Sequence, residues 1–443
     1  MNITDKTGGI IVDTPKSQEP RPVSLFDQIN INVFWLANQF HWNAIIAVII
    51  PSMVAKLLDP TQKDINLPLV VIWGTLVAVV VNPLVGAFSD YATFRMGRRR
   101  PFMILGTIGN VIVLVFFAFT PSLNRGILLL SMAALFFLLQ FSNNLANSPW
   151  SAIIADKVPI RQRGLTAGIN GVCLLLGTAL GSVVAGLIVN KQDTLPMYKS
   201  EIVQIFLLIA VVQTLVVAYT VLTVKEIPLP REQHVALQIR PFLRKFFFKP
   251  SRYPDLSWVL LARLLMMMGI WGVFYFLQYY ADDVLHVTGE QFIGGVFLPI
   301  LLGSALPTSI IAGWASDHWG RKGLVYLAGA MMTIVCLLFI VWQNPAGALI
   351  AAAFFGIGYG AYTSVDWALV TDALPPTDEA GKFLGIWSAM GILPQVIGIS
   401  IGGILLQVLQ GMPNHFGYSV LFLVTIVYFV LGTAVIYQVK NVK

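Results

Sequence analysis

Charged residues are scarce in this 443-residue chain, and their scarcity excludes an ordinary soluble protein. Lys, Arg, Asp and Glu make up 11% of the sequence, whereas a soluble domain carries about 25% of these residues. Hydrophobic residues make up 57%, and the mean hydropathy is +0.77. The composition therefore predicts an all-α integral membrane protein whose main partner is a lipid bilayer.

The chain also lacks the short motifs of several common chemistries. It has no GxxxxGK[ST] phosphate loop, no HExxH metal motif and no CxxC pair, so a nucleotide-driven pump is not indicated. Its two cysteines, Cys173 and Cys336, lie in apolar runs and suggest no disulfide framework. We expect no enzyme activity, no metal and no cofactor.

The N-terminal segment 1–25 is polar and contains Pro15, Pro20 and Pro22. It has no apolar stretch behind a basic start, which a signal peptide would have. Its composition predicts a disordered tail.

Twelve apolar runs are long enough to cross a bilayer, which takes about 20 residues. They lie near 30–51, 68–88, 102–120, 126–148, 165–189, 202–224, 256–280, 291–312, 323–342, 347–371, 383–408 and 417–438. The longest polar break, 225–255, separates the sixth run from the seventh. We therefore predict two six-helix bundles, 26–224 and 256–443, joined by a cytoplasmic linker.

The basic residues predict the orientation. With the N-terminus placed in the cytoplasm, 22 of the 28 Lys and Arg residues fall in cytoplasmic segments and five in outer loops. Because Lys and Arg concentrate on the cytoplasmic side, both termini are expected there. This distribution accounts for the net charge of +7 without a nucleic-acid partner.

Two motifs recur in the two halves. The sequence GAFSDYATFRMGRRRPF, Gly86–Phe102, follows the second run, and GWASDHWGRKG, Gly313–Gly323, follows the eighth. SPWSAIIADKVP, Ser148–Pro159, likewise matches SVDWALVTDALP, Ser364–Pro375. Repeats in the same order indicate two homologous bundles related by pseudo-symmetry.

The fifth and eleventh runs carry a further repeat, GxxxG, at Gly177/Gly181 and at Gly398/Gly402. This spacing allows two membrane helices to approach closely. We expect both pairs to lie at helix–helix contacts.

The first loop resembles the signature loop of the major facilitator superfamily, with Gly-x-x-x-Asp followed by Arg-x-Gly-Arg-Arg. The ending Arg98–Phe102 is similar to the sucrose-transporter-like and glycoside–pentoside–hexuronide branch. The resemblance implies two bundles that rock about a central site lined by helices one, four, seven and ten. It also implies a charged gate that forms when the cytoplasmic side is closed.

The gate residues implied by this resemblance lie at the cytoplasmic ends of the helices. Arginine suits such a gate because its planar fork can hold two acceptors. We expect Arg99 and Arg100, in contrast, to act only as topology anchors. The predicted gate comprises Gly86, Asp90, Arg95, Gly97, Arg98 and Asp156, with Gly313, Asp317, Gly320, Arg321 and Asp372 as its copy.

Four amides in the fourth run lie on one helix face. Gln140, Asn143, Asn144 and Asn147 are spaced 0, 3, 4 and 7. Lipid does not satisfy amides, so this face contacts other helices or a wet cavity. Two interpretations stay open: hydrogen bonds between helices, or a wall that binds a polar solute.

Similar rows occur in the other central helices. Amides beside Trp and Tyr suit sugars, because hydroxyl groups take the hydrogen bonds and the apolar ring face lies on the aromatic ring. His41 borders its row and serves as a hydrogen-bonding wall residue or a proton-linked group. These further candidates are Asn38, His41 and Trp42, then Trp271, Tyr275 and Gln278, then Tyr359 and Thr363.

Arg263 and Asp366 are ionisable residues inside predicted spans, each about six residues from the cytoplasmic helix end. Both are thus roughly 9 Å deep, so they can pair. A charge within the membrane is a functional candidate by default. A carboxylate that is paired in one state and desolvated in another changes its pKa, which could couple proton flow to transport. The alternative is a static structural pair.

The second run departs from cation-coupled relatives of the glycoside branch, which carry acidic residues there. It has Asn82 and no acid between Leu67 and Asp90, which favours the proton over sodium as the coupling ion. We expect a secondary transporter in the cell membrane that moves a sugar or glycoside with a proton. The alternatives are a proton-coupled exporter of amphiphilic compounds and, less favoured, a membrane enzyme or sensor. The sequence sets no oligomeric state.

Overall fold

The computed structural model describes residues 22–90, 92–159, 162–224, 226, 250–374 and 380–440. Within them, twelve helices are long and apolar enough to cross a membrane, as predicted. The first six are α1 (Leu25–Leu57), α2 (Lys63–Asp90), α3 (Arg100–Ala118), α4 (Arg125–Ser151), α5 (Arg163–Ile188) and α6 (Leu195–Thr223).

The second six helices repeat the pattern. They are α7 (Pro254–Asp283), α8 (Gly289–Phe292, Ile293–Phe297 and Leu298–Trp319), α9 (Arg321–Val341), α10 (Pro345–Ala373), α11 (Ala380–Val408) and α12 (Phe416–Val435). Two π-helical stretches interrupt the spans, Ala44–Ile49 in α1 and Ile293–Phe297 in α8. We call the end that carries the Arg95–Arg100 loop the basic end, and the other the opposite end.

Helices α1, α2 and α6 begin five or more residues before their apolar runs, α1 at Leu25. The second begins at Lys63 and includes Asp64 in its first turn, and the sixth begins at Leu195. Counting apolar residues detects the stretch that crosses hydrocarbon, whereas these helices extend beyond it in polar residues. The second helix therefore carries an acid that its apolar run does not include.

A lipid-facing stripe is visible on α3. Leu105, Ile108, Ile112 and Phe116 are all more than half exposed, and their spacing of 3 and 4 residues places them on one face. The opposite face packs against α4 and α6. An apolar face without protein contacts is what a hydrocarbon environment requires.

The GxxxG repeat in α5 makes a close contact with α1. A Cβ atom added at Gly177 would meet the carbonyl oxygen of Leu36, and one added at Gly181 would meet that of Phe40. The two backbones therefore touch where only glycine fits.

The repeat in α11 makes the equivalent contact with α7. A Cβ atom at Gly398 would lie 3.1 Å from the Met268 carbonyl oxygen, and one at Gly402 would lie 2.5 Å from the Phe276 ring. The stretch Gly398–Gly402, GISIG, also matches the GxSxG motif of serine hydrolases. Ser400, however, lies within a helix and donates to the Val396 carbonyl at 2.6 Å. A nucleophile elbow requires a strand-to-helix turn instead.

The two bundles meet at the opposite end along two helix pairs. Between α5 and α8, a Cβ atom on Gly186 would lie 3.1 Å from the Gly294 Cα. Between α2 and α11, a Cβ atom on Gly403 would meet the Asp64 carbonyl oxygen and the Pro68 ring. The structure is thus closed at the opposite end.

Candidate functional site

The amide row of α4 contacts α1 through one residue. Asn143 accepts a hydrogen bond from the Trp42 indole Nε1 at 2.9 Å and donates to the Asn38 side chain at 3.1 Å. Asn143 and Asn38 are buried, and Trp42 is half-buried. These three residues supply the hydrogen bonds between helices that the row allows.

The rest of the row is divided. Asn144 donates to the backbone oxygen of Gln140 at 2.8 Å and to its side-chain oxygen at 3.3 Å, so this pair satisfies itself along the helix. Asn147 is half-buried, and its Oδ1 accepts no hydrogen bond from the described residues. It is the member of the row that offers an acceptor to a solute.

His41 turns away from this row. It is buried, and its Nδ1 lies 3.0 Å from the side-chain oxygen of Gln213 in α6. Its ring packs edge-on against Trp42 at 4.8 Å. In this conformation the imidazole is a hydrogen-bonding residue of the bundle interior rather than a lining residue of the space between the bundles.

The predicted row of α7 has the most unsatisfied polar atoms. Trp271 and Tyr275 lie with ring centroids 5.6 Å apart, and Tyr275 and Gln278 are buried. The indole N–H, the phenol hydroxyl and both amide atoms of this row make no hydrogen bond to a described residue. Buried polar groups are normally paired, so this face has capacity for a ligand or water.

On α10, Tyr359 is half-buried and stacks on Phe355 with centroids 6.4 Å apart. Thr363 is exposed, and its hydroxyl donates to the Tyr359 carbonyl at 2.8 Å. This helix therefore offers an aromatic surface more than free hydrogen-bonding groups.

Arg263 of α7 and Asp366 of α10 form a buried ion pair. The Tyr362 hydroxyl donates to Asp366 Oδ1 at 3.2 Å. The Arg263 guanidinium lies 3.6 Å from the ring centroid of Trp387 in α11, a close cation–π contact. The pair predicted from equal depth thus forms and joins three helices.

Sequence reasoning missed two neighbours of this pair. Tyr362 precedes Asp366 by four residues, so helical spacing could have found it. Trp387 lies on another helix, where Gly391 also leaves room for the Arg263 guanidinium: a Cβ atom there would lie 2.8 Å from Nη2. No local pattern indicates a contact of this range.

At the basic end, Asp156 binds two arginines. Arg98 approaches one carboxylate oxygen at 2.7 Å, and Arg99 Nε approaches the other at 2.6 Å. Arg99 is 2% exposed and also donates to the Pro149 carbonyl at 3.2 Å. The expectation that Arg99 only anchors topology is wrong, because a loop count of basic residues does not reveal which side chain turns inward.

Glu226, just after α6, is a further charged residue of this cluster that the sequence did not indicate. Its carboxylate accepts hydrogen bonds from the backbone N–H groups of Arg99 at 2.9 Å and Arg100 at 3.2 Å. It therefore caps the start of α3, where the helix dipole favours an anion. Its side chain packs on Gly97, where no Cβ fits.

The second bundle carries the predicted copy. Arg321 at the start of α9 pairs with Asp372 near the end of α10. Gly97 and Gly320 have positive φ angles of 103° and 87°, which favour glycine. Each ion pair lies within one bundle and is formed while the opposite end is closed, whereas the resemblance links the gate to closure of the basic end.

The remaining gate candidates contribute less. Arg95 is exposed. A Cβ atom on Gly86 would lie 3.0 Å from the Ser148 hydroxyl, whereas one on Gly313 would meet no atom within 4 Å. The side chains of Asp90 and Asp317 lie outside the described residues.

The fold is thus a twelve-helix membrane protein with polar central helices and an ion pair at the basic end of each bundle. The sequence profile of the Major Facilitator Superfamily matches residues 36–377 and 301–442. The chain belongs to this superfamily.

Among curated relatives, the chain is 28% identical over 195 residues to Sucrose transport protein SUC3 of Arabidopsis thaliana, covering 38% of this chain and 32% of that protein. It is 25% identical over 356 residues to the Glucuronide carrier protein homolog of Escherichia coli (strain K12), covering 76% and 73%. It is 23% identical over 401 residues to Multi-drug resistance efflux pump PmrA of Streptococcus pneumoniae, covering 89% and 92%. The match to the sucrose transport protein thus spans about a third of its length.

Solved structures share the fold. A bacterial homolog of the human lysosomal transporter Spinster, inward-facing and unoccupied, has a TM-score of 0.70 at 14% identity and covers 94% of this chain and 96% of its own. The D-xylose-proton symporter has a TM-score of 0.68 at 15% identity and covers 95% and 98%.

Proposed function

We propose that this transporter moves a sugar or glycoside together with a proton. The observation that carries the proposal is the set of polar atoms without protein partners beside aromatic rings on the central helices. Asn147 on α4, and Trp271, Tyr275 and Gln278 on α7, belong to this set. A sugar would supply hydroxyl groups to these atoms and place its apolar face on Trp271.

The relatives support this solute class. A sucrose transport protein and a glucuronide carrier homolog both handle glycosidic or sugar-acid solutes by name. The amide and aromatic side chains of Asn147, Trp271, Tyr275 and Gln278 offer the hydrogen bonds and the apolar surface that such solutes need. Solute identity within the class is for the assay below to decide.

The Arg263–Asp366 pair is the proposed coupling site. While Asp366 is ionised, it holds Arg263 and thereby ties α10 to α7. A proton on Asp366 removes the charge that makes this bond strong, and Arg263 keeps its contact with Trp387. Protonation thus loosens one helix pair of the second bundle, which is how a proton could change the preferred conformation.

The orientation follows from the charge rule. The basic end is proposed to face the cytoplasm, with both termini there and the protein multi-pass in the cell membrane. The ranges 26–224 and 256–443 remain the proposed domains, joined by the linker 225–255. Alternating access at the two ends would then carry the solute past the central helices.

The test uses purified protein in liposomes with a pH dye trapped inside. Sugars are added outside one at a time, with no imposed gradient. If a sugar enters together with a proton, adding that sugar acidifies the lumen. Asp366→Asn should abolish this acidification. Asp59→Asn, an exposed carboxylate in the loop before α2, is the matched control and should keep it. Sugar entry without acidification would refute proton coupling but keep the solute class.

A second candidate is export of an amphiphilic compound by proton antiport. The relative named as a multidrug efflux pump covers most of this chain, and aromatic residues make up 12% of the sequence. If a panel of sugars gives no proton movement and an amphiphile panel does, this candidate replaces the first.

A further inference from the structure

Charged side chains concentrate where the two bundles meet at the opposite end. Lys63 of α2 pairs with Asp283 of α7 at 2.5 Å, and Lys191 of the α5–α6 loop pairs with Asp282 of α7. The Tyr418 hydroxyl also donates to Asp283 at 2.5 Å. Both ion pairs cross from one bundle to the other, so they stabilise the closed state of this end.

Carboxylates outnumber the lysines in this cluster. Asp64 and Glu290 are buried and are not ion-paired with Lys63 or Lys191, whose ammonium groups already bind Asp283 and Asp282. Glu290, in the first turn of α8, is 0% exposed, and neither of its oxygens meets hydrogen-bond geometry with a described residue. An ionised carboxylate in such a position is costly.

The surroundings of Glu290 come from four elements. The Ser52 hydroxyl of α1 lies near Glu290 and also shares a hydrogen bond of 2.9 Å with the Tyr198 hydroxyl of α6. Lys191 is its nearby cation and is shared with Asp282, whose charge opposes that of Glu290. Glu201 of α6 adds a second like charge. Glu290 thus shares its one nearby ammonium group with Asp282 and has a further like charge in its surroundings.

Closure buries this carboxylate directly. The backbone of Glu290 touches Gly186 of α5, since a Cβ atom there would lie 2.6 Å from the Glu290 carbonyl oxygen. Opening of this end must separate α5 from α8, and water then reaches the first turn of α8. The carboxylate is therefore solvated when this end is open and buried without a full partner when it is closed.

We propose that Glu290 is a proton-binding site that is filled while the opposite end is closed. The proton comes from the compartment that this end faces and returns to it on opening. It is therefore distinct from a coupling proton at Asp366, and the inference does not depend on the proposed transport coupling. Acid in that compartment favours closure of this end.

The test measures closure directly against pH. Spin labels are placed at Thr61→Cys and Gln410→Cys, exposed positions on the two bundles near a hydrogen bond from Gln407 to the Thr61 carbonyl, after Cys173→Ala and Cys336→Ala. Full-length protein in lipid nanodiscs is scanned from pH 5 to 9 by distance measurement. With one linked proton, the ratio of closed to open populations should change by up to about tenfold per pH unit.

Variants separate Glu290 from other titrating groups. Glu290→Gln should stay mostly closed, with a ratio that varies less than about twofold across the scan, while Glu290→Asp restores pH dependence. Asp59→Asn, the same kind of change in an exposed carboxylate of this end, is the control and should titrate like the wild type. The series is repeated in an Asp366→Asn background, which removes any titration of the ion pair. A wild-type curve in Glu290→Gln overturns the proposal, and so does a closed fraction that follows sodium at constant pH.

Discussion

One repeated position differs between the bundles in a way that separates their roles. The alignment of Ser148–Pro159 with Ser364–Pro375 places Trp150 of α4 opposite Asp366 of α10. Trp150 is buried and donates its indole N–H to the Ile31 carbonyl of α1 at 3.0 Å. The aspartate makes its ion pair with α7, the counterpart of α1.

The two bonds hold equivalent helices, but they respond differently to protons. Neither an indole N–H nor a peptide carbonyl titrates in the ordinary pH range, so the first bundle keeps its bond in acid and base alike. The bond in the second bundle is strong only while the carboxylate is charged. Asn147 in the first bundle and the ion pair in the second thus agree with the proposed roles in solute binding and in coupling respectively.

The largest expected effect on uptake comes from removing the Asp366 carboxylate, the group of this comparison that can bind a proton. Asp366→Asn leaves Arg263 buried without its anion, which costs about 3–5 kcal/mol for a broken buried pair. We expect proton-coupled uptake to be lost, because asparagine cannot bind and release a proton. The readouts are lumen acidification and the thermal midpoint.

A double variant separates stability from coupling. Arg263→Met with Asp366→Leu replaces both charges by apolar groups, which is often neutral for stability. A recovered thermal midpoint with no proton-coupled uptake supports a functional pair. Recovery of both would show that the pair is only structural.

The next effect compares the two gates. Arg99→Lys keeps the charge but loses the fork that reaches Asp156 and the Pro149 carbonyl together, so we expect turnover to fall about tenfold, the cost of one charge-assisted hydrogen bond of about 1.5 kcal/mol. Arg321→Lys, at a half-exposed pair with one carboxylate, should lose less. Arg95→Lys, on an exposed side chain, is the control. Transport rates under saturating solute decide the order.

A third comparison concerns the solute wall. The same alignment places Asn147 opposite Thr363, but the asparagine oxygen lacks a partner whereas the threonine hydroxyl bonds within its own helix. Asn147→Ala should raise the half-saturating solute concentration up to about tenfold, the equivalent of a lost hydrogen bond of about 1 kcal/mol. Thr363→Ala should change it less. Equal effects would remove the argument from unpartnered atoms.

The smallest effect is expected at the neutral bond. Trp150→Phe removes the indole donor but leaves the helical hydrogen bond of the Ile31 carbonyl, so we expect a stability loss of about 1 kcal/mol. Transport should stay within about twofold of the wild type, and its pH dependence should not move. A shifted pH profile would break the contrast between the bundles. Thermal midpoints and pH-dependent uptake supply the measurement.

Periodicity and repetition predicted most of the architecture. Helices, the internal repeat and the glycine contacts follow from patterns within 20 residues or between aligned motifs, because a membrane helix satisfies its own backbone. The Arg263–Asp366 pair was also predictable, since charges within hydrocarbon have few partners. These features require no knowledge of tertiary packing.

Partners on distant helices were not predictable. The spacing of the α4 amides identified one face, but it could not divide Asn143, bound to α1, from Asn147, which has a free acceptor. The roles of Trp387 and Glu226 likewise depend on contacts separated by more than 100 residues in sequence. A single sequence has no local pattern that identifies contacts between residues so far apart.

The glycine contact between α5 and α8 sets a limit on how the protein can move. Backbone meets backbone at Gly186 and Gly294, so no side chain is present that could change rotamer and absorb a partial approach. The two backbones are therefore either in contact or separated, with no stable intermediate spacing. The closed geometry of this end is therefore fixed by main-chain dimensions and does not depend on which solute is carried.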